Sequence, residues 1–184
     1  MTINFEHTGY SPEAASKYFE KIRVSHFRPW LVYQSKKSSR LDFGRPTYAW
    51  VIENGGGHTG AHWLVHVPER LQAEFRKKLP KWLETCAGPV NSPQALDIQK
   101  ADTPHKAGLY MAKGINPRYA KLYRVRFPEA QGLVHGKRCG ISANLGPAAR
   151  ERALFVLNTR QNLANCPMLT RQQLSALPTL PQSR

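Results

Sequence analysis

The sequence predicts an α+β domain built on an antiparallel sheet. Two observations carry this. The strand-like runs Thr47–Glu53 (TYAWVIE) and Ala61–Val67 are joined by a short Asn54-Gly-Gly-Gly57 turn, which suits a hairpin and leaves no room for a crossover helix. Segments of helical periodicity then fall between the strand-like runs, and 184 residues suffice for one domain with a proper core, or one domain and a tail.

The elements follow in order. Thr2–Glu6 (TINFE) is a short first strand. Ser11-Pro12-Glu13 is a helix start: a capping hydroxyl, proline at the first helical position, and an acid near the positive end of the dipole. Ala15, Tyr18, Phe19 and Ile22 continue at helical spacing, and Pro29 is expected to end or kink the helix, with a further turn or two over Trp30–Lys37. Lys36–Pro46 is a basic, polar loop. After the hairpin, Pro68 opens a helix whose Leu71, Phe75, Leu79, Trp82 and Leu83 share a face, and Gly88-Pro89 stops it. Ala95–Lys100 is a short strand, Thr103-Pro104 starts a helix running to Gly114, and Tyr119–Phe127 is one more strand. Gly132–Gly140 is a basic loop or hairpin, Gly146-Pro147 starts a last helix, and the prolines beyond Thr159 mark a polar tail over 159–184.

Charge narrows the partners. Lys and Arg number 27 against 12 Asp and Glu, a formal charge of +15 spread along the chain. Such a surface attracts polyanions and releases their counterions. No apolar run reaches the roughly 18 residues of a spanning helix, so no membrane partner is expected and a cytoplasmic protein is. Cys86, Cys139 and Cys166 are odd in number and widely spaced, which fits neither a disulfide framework nor a zinc knuckle.

The stretch His58-Thr-Gly-Ala-His-Trp-Leu-Val-His66 places three imidazoles in nine residues. Alternation points His62 and His66 to one face of a strand, but some ~13 Å apart at the backbone, too far for one shared ion bonded at about 2.1 Å. His58 is the better companion, because the flanking glycines let the chain curl back toward His62, and Glu53 across the turn supplies an oxygen. Two imidazoles and a carboxylate with open positions suit Mn²⁺ or Mg²⁺ and leave room for a phosphate oxygen. Against this stands the ordinary reading of a strand histidine as a hydrogen-bonded core residue, which suits His66 best.

Leu109-Tyr-Met-Ala-Lys-Gly114 sets Tyr110 and Lys113 three apart on one helical face. A phenol is a weak nucleophile at neutral pH; a polarising metal, a neighbouring ammonium and in-line placement all help it. Tyr119 and Tyr123 are rivals without a lysine three residues on.

A short first strand, a histidine-bearing strand ending His66-Val-Pro68, and a helical Tyr-x-x-Lys in that order resemble the HUH endonucleases. Within them, "ENGGG…HWLVHVPERL", "YMAKG" and "QGLVHGKRCGISANLGPAARERA" look most like small replication-initiator (Rep-type) proteins of bacterial mobile elements, a likeness covering most of residues 1–157. The resemblance implies a central antiparallel sheet of about five strands flanked by helices, within a nuclease domain over 1–158. It also implies a metal-dependent tyrosine nickase that stays joined to the 5′ phosphate and starts rolling-circle replication. Tyr110 would be the nucleophile, Lys113 its cation, and His62 the second histidine of a pair. The first of that pair falls on Gly60, so either His58 takes its role, or the site runs on one histidine plus Glu53, or activity is reduced. The implied partner is single-stranded DNA at a replication origin. No phosphate-binding loop is present in the sequence, so a host or element helicase would unwind the DNA in trans, and the protein itself would be a monomer or weak dimer.

For the strand itself, Lys36, Lys37, Arg40, Arg118, Lys121, Arg124, Arg126, Lys137 and Arg138 interleave with Tyr119, Tyr123 and Phe127, cations to follow phosphates and rings to stack on bases. Taken singly, most of these arginines are more readily solvated surface charges. Two other readings stay open: a single-tyrosine transposase or relaxase with the same chemistry, and a non-catalytic single-strand-binding module descended from a nuclease.

Overall fold

The computed structural model describes residues 1–37, 45–122 and 124–152. The chain divides into two compact units, 1–144 and 145–184. In the second, residues 147–152 are helical, in line with the start signal at Gly146-Pro147. The loop at 38–44 with its Arg40, Tyr123, and the tail expected over 159–184 lie outside the described residues.

The first unit is α+β. Its sheet has five strands: β1 (Thr2–Asn4), β2 (Tyr48–Gly55), β3 (His58–Val65), β4 (Leu96–Asp97) and β5 (Cys139–Ile141), in the order β4-β1-β3-β2-β5. Every neighbouring pair is antiparallel. The hairpin closes at Gly55↔His58, leaving Gly56 and Gly57 as a two-residue turn with φ of 63° and 86°. Two successive positive φ angles make the turn that matches strand twist, and glycine reaches them without strain. The turn also explains why β3 begins at His58 and not at Ala61: its first three residues pair with Gly55, Asn54 and Glu53.

Alternation then sorts the side chains. Ile3, Trp50, Ile52, Ala61 and Trp63 face the helices and are buried. Against them lies the chain of α1 (Ala15–Lys21), a π-type segment (Ile22–Phe27) and α2 (Arg28–Lys37), together with α3 (Glu69–Ala87). Phe27, fully buried, meets Trp63 edge-on at 5.1 Å and Phe75 of α3 at 5.7 Å. Each such ring contributes roughly 1.5–3 kcal/mol through burial. Arg23 is sequestered beside the rings of Phe19, Tyr48 and Trp50, 4.3 Å from the last, and burial pulls its guanidinium below its ordinary value.

Three elements depart from expectation. Pro29 does not end the first helix. Within the π-type stretch Arg28 N–H donates to the Arg23 carbonyl five residues back, and the helix resumes through the proline. The first strand stops at Asn4 because Phe5–His7 turn as a 3₁₀ segment, closed by Thr8 N–H to the Phe5 carbonyl. The described part of Tyr119–Phe127 is not a strand. Asn116 caps Arg118 N–H and Pro117 opens a one-turn helix, α5 (Pro117–Ala120), so a strong local start signal overrides the aromatic and β-branched composition.

Candidate active site

The other face of the sheet carries Thr2, Asn4, Val51, Glu53, His58, Gly60 and His62, by the registers Thr2↔His62↔Val51 and Asn4↔Gly60↔Glu53. Across this face lies α4 (Pro104–Met111), followed by a 3₁₀ turn at Ala112–Gly114. Tyr110 is therefore on the imidazole side of the sheet and outside the core. Its ring meets that of His62 edge-on at 5.2 Å, and it is 52% exposed, open to a substrate.

A continuous chain of polar contacts joins the groups. Thr2 Oγ1 and His62 Nδ1 are 3.0 Å apart, and His62 Nε2 hydrogen-bonds Glu53 Oε1. Glu53 Oε2 lies 3.3 Å from Lys113 Nζ, which donates to Tyr110 Oη at 3.1 Å and stands 4.3 Å from that ring's centre. Glu129 adds a second carboxylate 3.5 Å from the same ammonium. Burial works to raise the Glu53 carboxyl, but the hydrogen bond and charge of His62, with the charge of Lys113, outweigh it and hold the group below its ordinary value. Burial likewise works to lower Lys113, and the Tyr110 hydrogen bond and Glu53 outweigh it, so the amine is held above its ordinary value. Lys113 is thus a standing cation at the phenol oxygen and not a base.

The site is shaped by a strap over residues 129–133. Glu129 N–H donates to the Lys113 carbonyl at 2.8 Å, while Asn54 N–H donates to the Gln131 carbonyl at 2.7 Å, so the strap ties the tyrosine turn to the hairpin. Gly114 lets the strap pack closely here, because a Cβ would stand 2.6 Å from Gln131 Cγ and would force that side chain to shift. Gly132 (φ 66°) is tighter still: a Cβ would overlap the Asn54 carbonyl oxygen. Beneath the strap is a cavity of about 300 Å³, lined by Glu6, Glu53, His58, His62, Lys113 and Glu129 among others.

The expected ligands are only partly brought together. His62 and Glu53 touch. His58 lines the same cavity, but its Nδ1 pairs with Glu6 Oε2 and its side chain is 74% exposed. His66 does not join: it lies past the end of β3, is exposed, and its backbone N–H bonds the Thr47 carbonyl. Among the described residues no three His, Cys, Asp or Glu stand as a ready metal cluster. One imidazole and one carboxylate nevertheless fit Mg²⁺ or Mn²⁺, which commonly take one or two carboxylates and fill their remaining positions with water and substrate phosphate. Thr2 suits either state of His62: its hydroxyl donates to Nδ1 when Nε2 carries the proton, and accepts from Nδ1–H when Nε2 is a ligand.

The basic residues fall in two groups. Lys121, Arg124 and Arg126 line one cavity, with Arg118 exposed on the helix before it. Lys137 is exposed, whereas Arg138 is half-buried, accepts Ile52 N–H at its carbonyl at 2.7 Å, and has a buried Nη2 without a hydrogen-bond partner. Tyr119 sits on α5, and the ring that meets His62 is Tyr110. The sequence reading missed Thr2, Glu6, Glu129 and Gln131. The first two are recoverable only from the β1–β3 pairing and the turn after it, and the strap carries no periodic signal at all. Set against protein-family models, curated proteins and solved structures, the chain matches none.

Proposed function

We propose that the chain is a metal-dependent single-strand DNA endonuclease and strand transferase with Tyr110 as nucleophile. The observation that supports the reading is the unbroken chain Thr2–His62–Glu53–Lys113–Tyr110 on one sheet face, ending at an exposed phenol.

In the proposed step Tyr110 Oη attacks the phosphorus of a phosphodiester and loses its proton to solvent. A phosphorus–Oη bond forms as the phosphorus–O3′ bond breaks, and the 3′ oxygen leaves and takes up a proton. The 5′ phosphate stays on the protein, and the ester retains the bond energy for rejoining. Lys113 donates to Oη and lowers the cost of negative charge there. Glu53 holds Lys113 and His62 in place, and Thr2 holds the His62 ring through Nδ1 in either tautomer. His62 and Glu53 would hold a divalent cation, which when bound would polarise the phosphate as a Lewis acid. Lys121, Arg124, Arg126, Arg118, Lys137 and Arg138 hold the strand. Starting rolling-circle replication, with a helicase in trans, is the role this chemistry suits; transposition or mobilisation would use the same step. Among the described residues no helix is long and apolar enough to cross a membrane.

One observation favours a second reading, a non-catalytic single-strand-binding module: the diversion of His58 to Glu6 leaves His62 and Glu53 without a third ligand group among the described residues. Incubation with a random pool of single-stranded oligonucleotides and Mn²⁺, resolved on a denaturing gel, separates the two. Transfer of 3′-labelled but not 5′-labelled DNA to the protein, lost in Tyr110→Phe and in chelator, is expected for the nickase. Binding of the pool with no covalent species in any condition supports the second reading and overturns the first.

A further inference from the structure

The segment after α5 closes in a way that composition alone does not explain. Arg124 N–H donates to the Lys121 carbonyl at 3.2 Å, and Val125 N–H donates to the Ala120 carbonyl at 2.9 Å. This pair of bonds is the Schellman ending of a helix, whose left-handed residue is usually glycine. Here that residue is Arg124, at φ 57°, the one non-glycine positive φ among the described residues. A left-handed conformation costs a residue with a Cβ roughly 1–2 kcal/mol. Glycine would relieve this, so the local fold does not call for an arginine.

The turn builds a cavity of about 590 Å³ with a mixed lining. Ala120 and Val125, both buried, form its floor with Pro117 and Pro128, and Lys121, Arg124 and Arg126 stand round it, all exposed. No salt bridge engages any of the three cations among the described residues. An apolar floor beneath unpaired cations suits a ligand with one flat apolar part and one anionic part. The volume lies within the usual range for small-molecule pockets.

We infer that this cavity is a nucleotide subsite: it takes one unpaired base of a single strand against Ala120, Val125 and the two prolines, with the adjoining phosphates on Lys121, Arg124 and Arg126. It rests on the nucleic-acid part of the proposed function and not on strand cutting. A base held in a duplex cannot enter, so the subsite selects single strands.

The test is anisotropy with the full chain and a labelled oligonucleotide in which one abasic site is moved stepwise. One register is expected to bind about 5- to 150-fold more weakly than the rest, the range for loss of a single base contact. Arg124→Gly is expected to keep or raise the melting temperature, to weaken binding, and to make the salt dependence shallower by about 0.7 in log–log slope, one phosphate's worth on a single strand. A flat abasic scan, or Arg124→Gly with unchanged affinity and slope, overturns the subsite, as does a loss of melting temperature that assigns Arg124 to the fold. The outcomes separate from those of the cutting test: a tyrosine adduct with a flat scan sinks the subsite alone, and a clear register with no adduct sinks strand cutting alone.

Discussion

Replacing Lys113 by methionine keeps an unbranched apolar stem as far as the lysine Cε and removes the charged nitrogen. The ammonium donates to Tyr110 Oη at 3.1 Å, and at an effective dielectric of 20 a full phenolate at that distance would gain about 5 kcal/mol. Tyr110 is half exposed, so solvent screens most of this. A charge-assisted hydrogen bond, about 1.5–3 kcal/mol, is the better measure. The expected outcome is a roughly 10- to 150-fold slower single-turnover formation of the covalent species. The rate should be read at saturating Mn²⁺, since removing a positive neighbour of Glu53 also favours cation binding. Affinity for the oligonucleotide should hardly change, because this ammonium is engaged by Glu53 and Glu129 and is only 17% exposed. A rate within about threefold of the native chain, or a loss confined to binding, would refute the reasoning, the first because so small a change is below what one charged hydrogen bond supplies.

Gly60→His tests the departure at the histidine pair. A Cβ there would meet nothing closer than 3.5 Å, and the register sets it between Asn4 and Glu53 on the face of His62. Half-saturation by Mn²⁺ should fall by about tenfold, the worth of one further ligand interaction of ~1.4 kcal/mol, in both calorimetry and adduct yield. In chelator, Glu53 should make stability depend on pH in a stated direction. Its folded value lies below the ordinary 4.5, so its contribution is fully present above that pH and lost as pH falls through the folded value. The melting-temperature gap between the native chain and Glu53→Gln should therefore shrink as the pH falls below 4.5. Gly132→Ala combines a positive φ with overlap on the Asn54 carbonyl and should cost on the order of 3 kcal/mol or more in urea denaturation, by undoing the strap.

What was legible in the sequence was local. The hairpin follows from its glycine turn and flanking strand composition. The long helix Glu69–Ala87 follows from the spacing of Leu71, Phe75, Leu79 and Leu83, all buried as that spacing requires, and it runs on through Pro80. The Tyr110–Lys113 pair also needs nothing beyond one helical turn. What was hidden depends on pairing distant segments. Thr2 reaches His62 only because β1 adds to β3, 60 residues away in the chain, and Glu129 reaches Lys113 only through a loop without periodicity. Tyr119–Phe127 misled because alternating aromatic and β-branched residues are a weaker instruction than an Asn-Pro helix start followed by a left-handed residue. His58 was placed by the flexibility of its glycines, which permit its approach to His62 but do not compel it; Glu6, brought up by the turn after β1, takes the imidazole instead.

The central claim is that one phenol on the imidazole face of the sheet becomes esterified to DNA. Peptide mass mapping after incubation with single-stranded DNA and Mn²⁺, followed by nuclease trimming, tests it most directly. The account predicts a nucleotide joined through its 5′ phosphate to the peptide bearing Tyr110, absent in chelator and in His62→Ala. A modification on Tyr119 or another residue, or an unmodified Tyr110 peptide in a protein that still binds the strand, would contradict it.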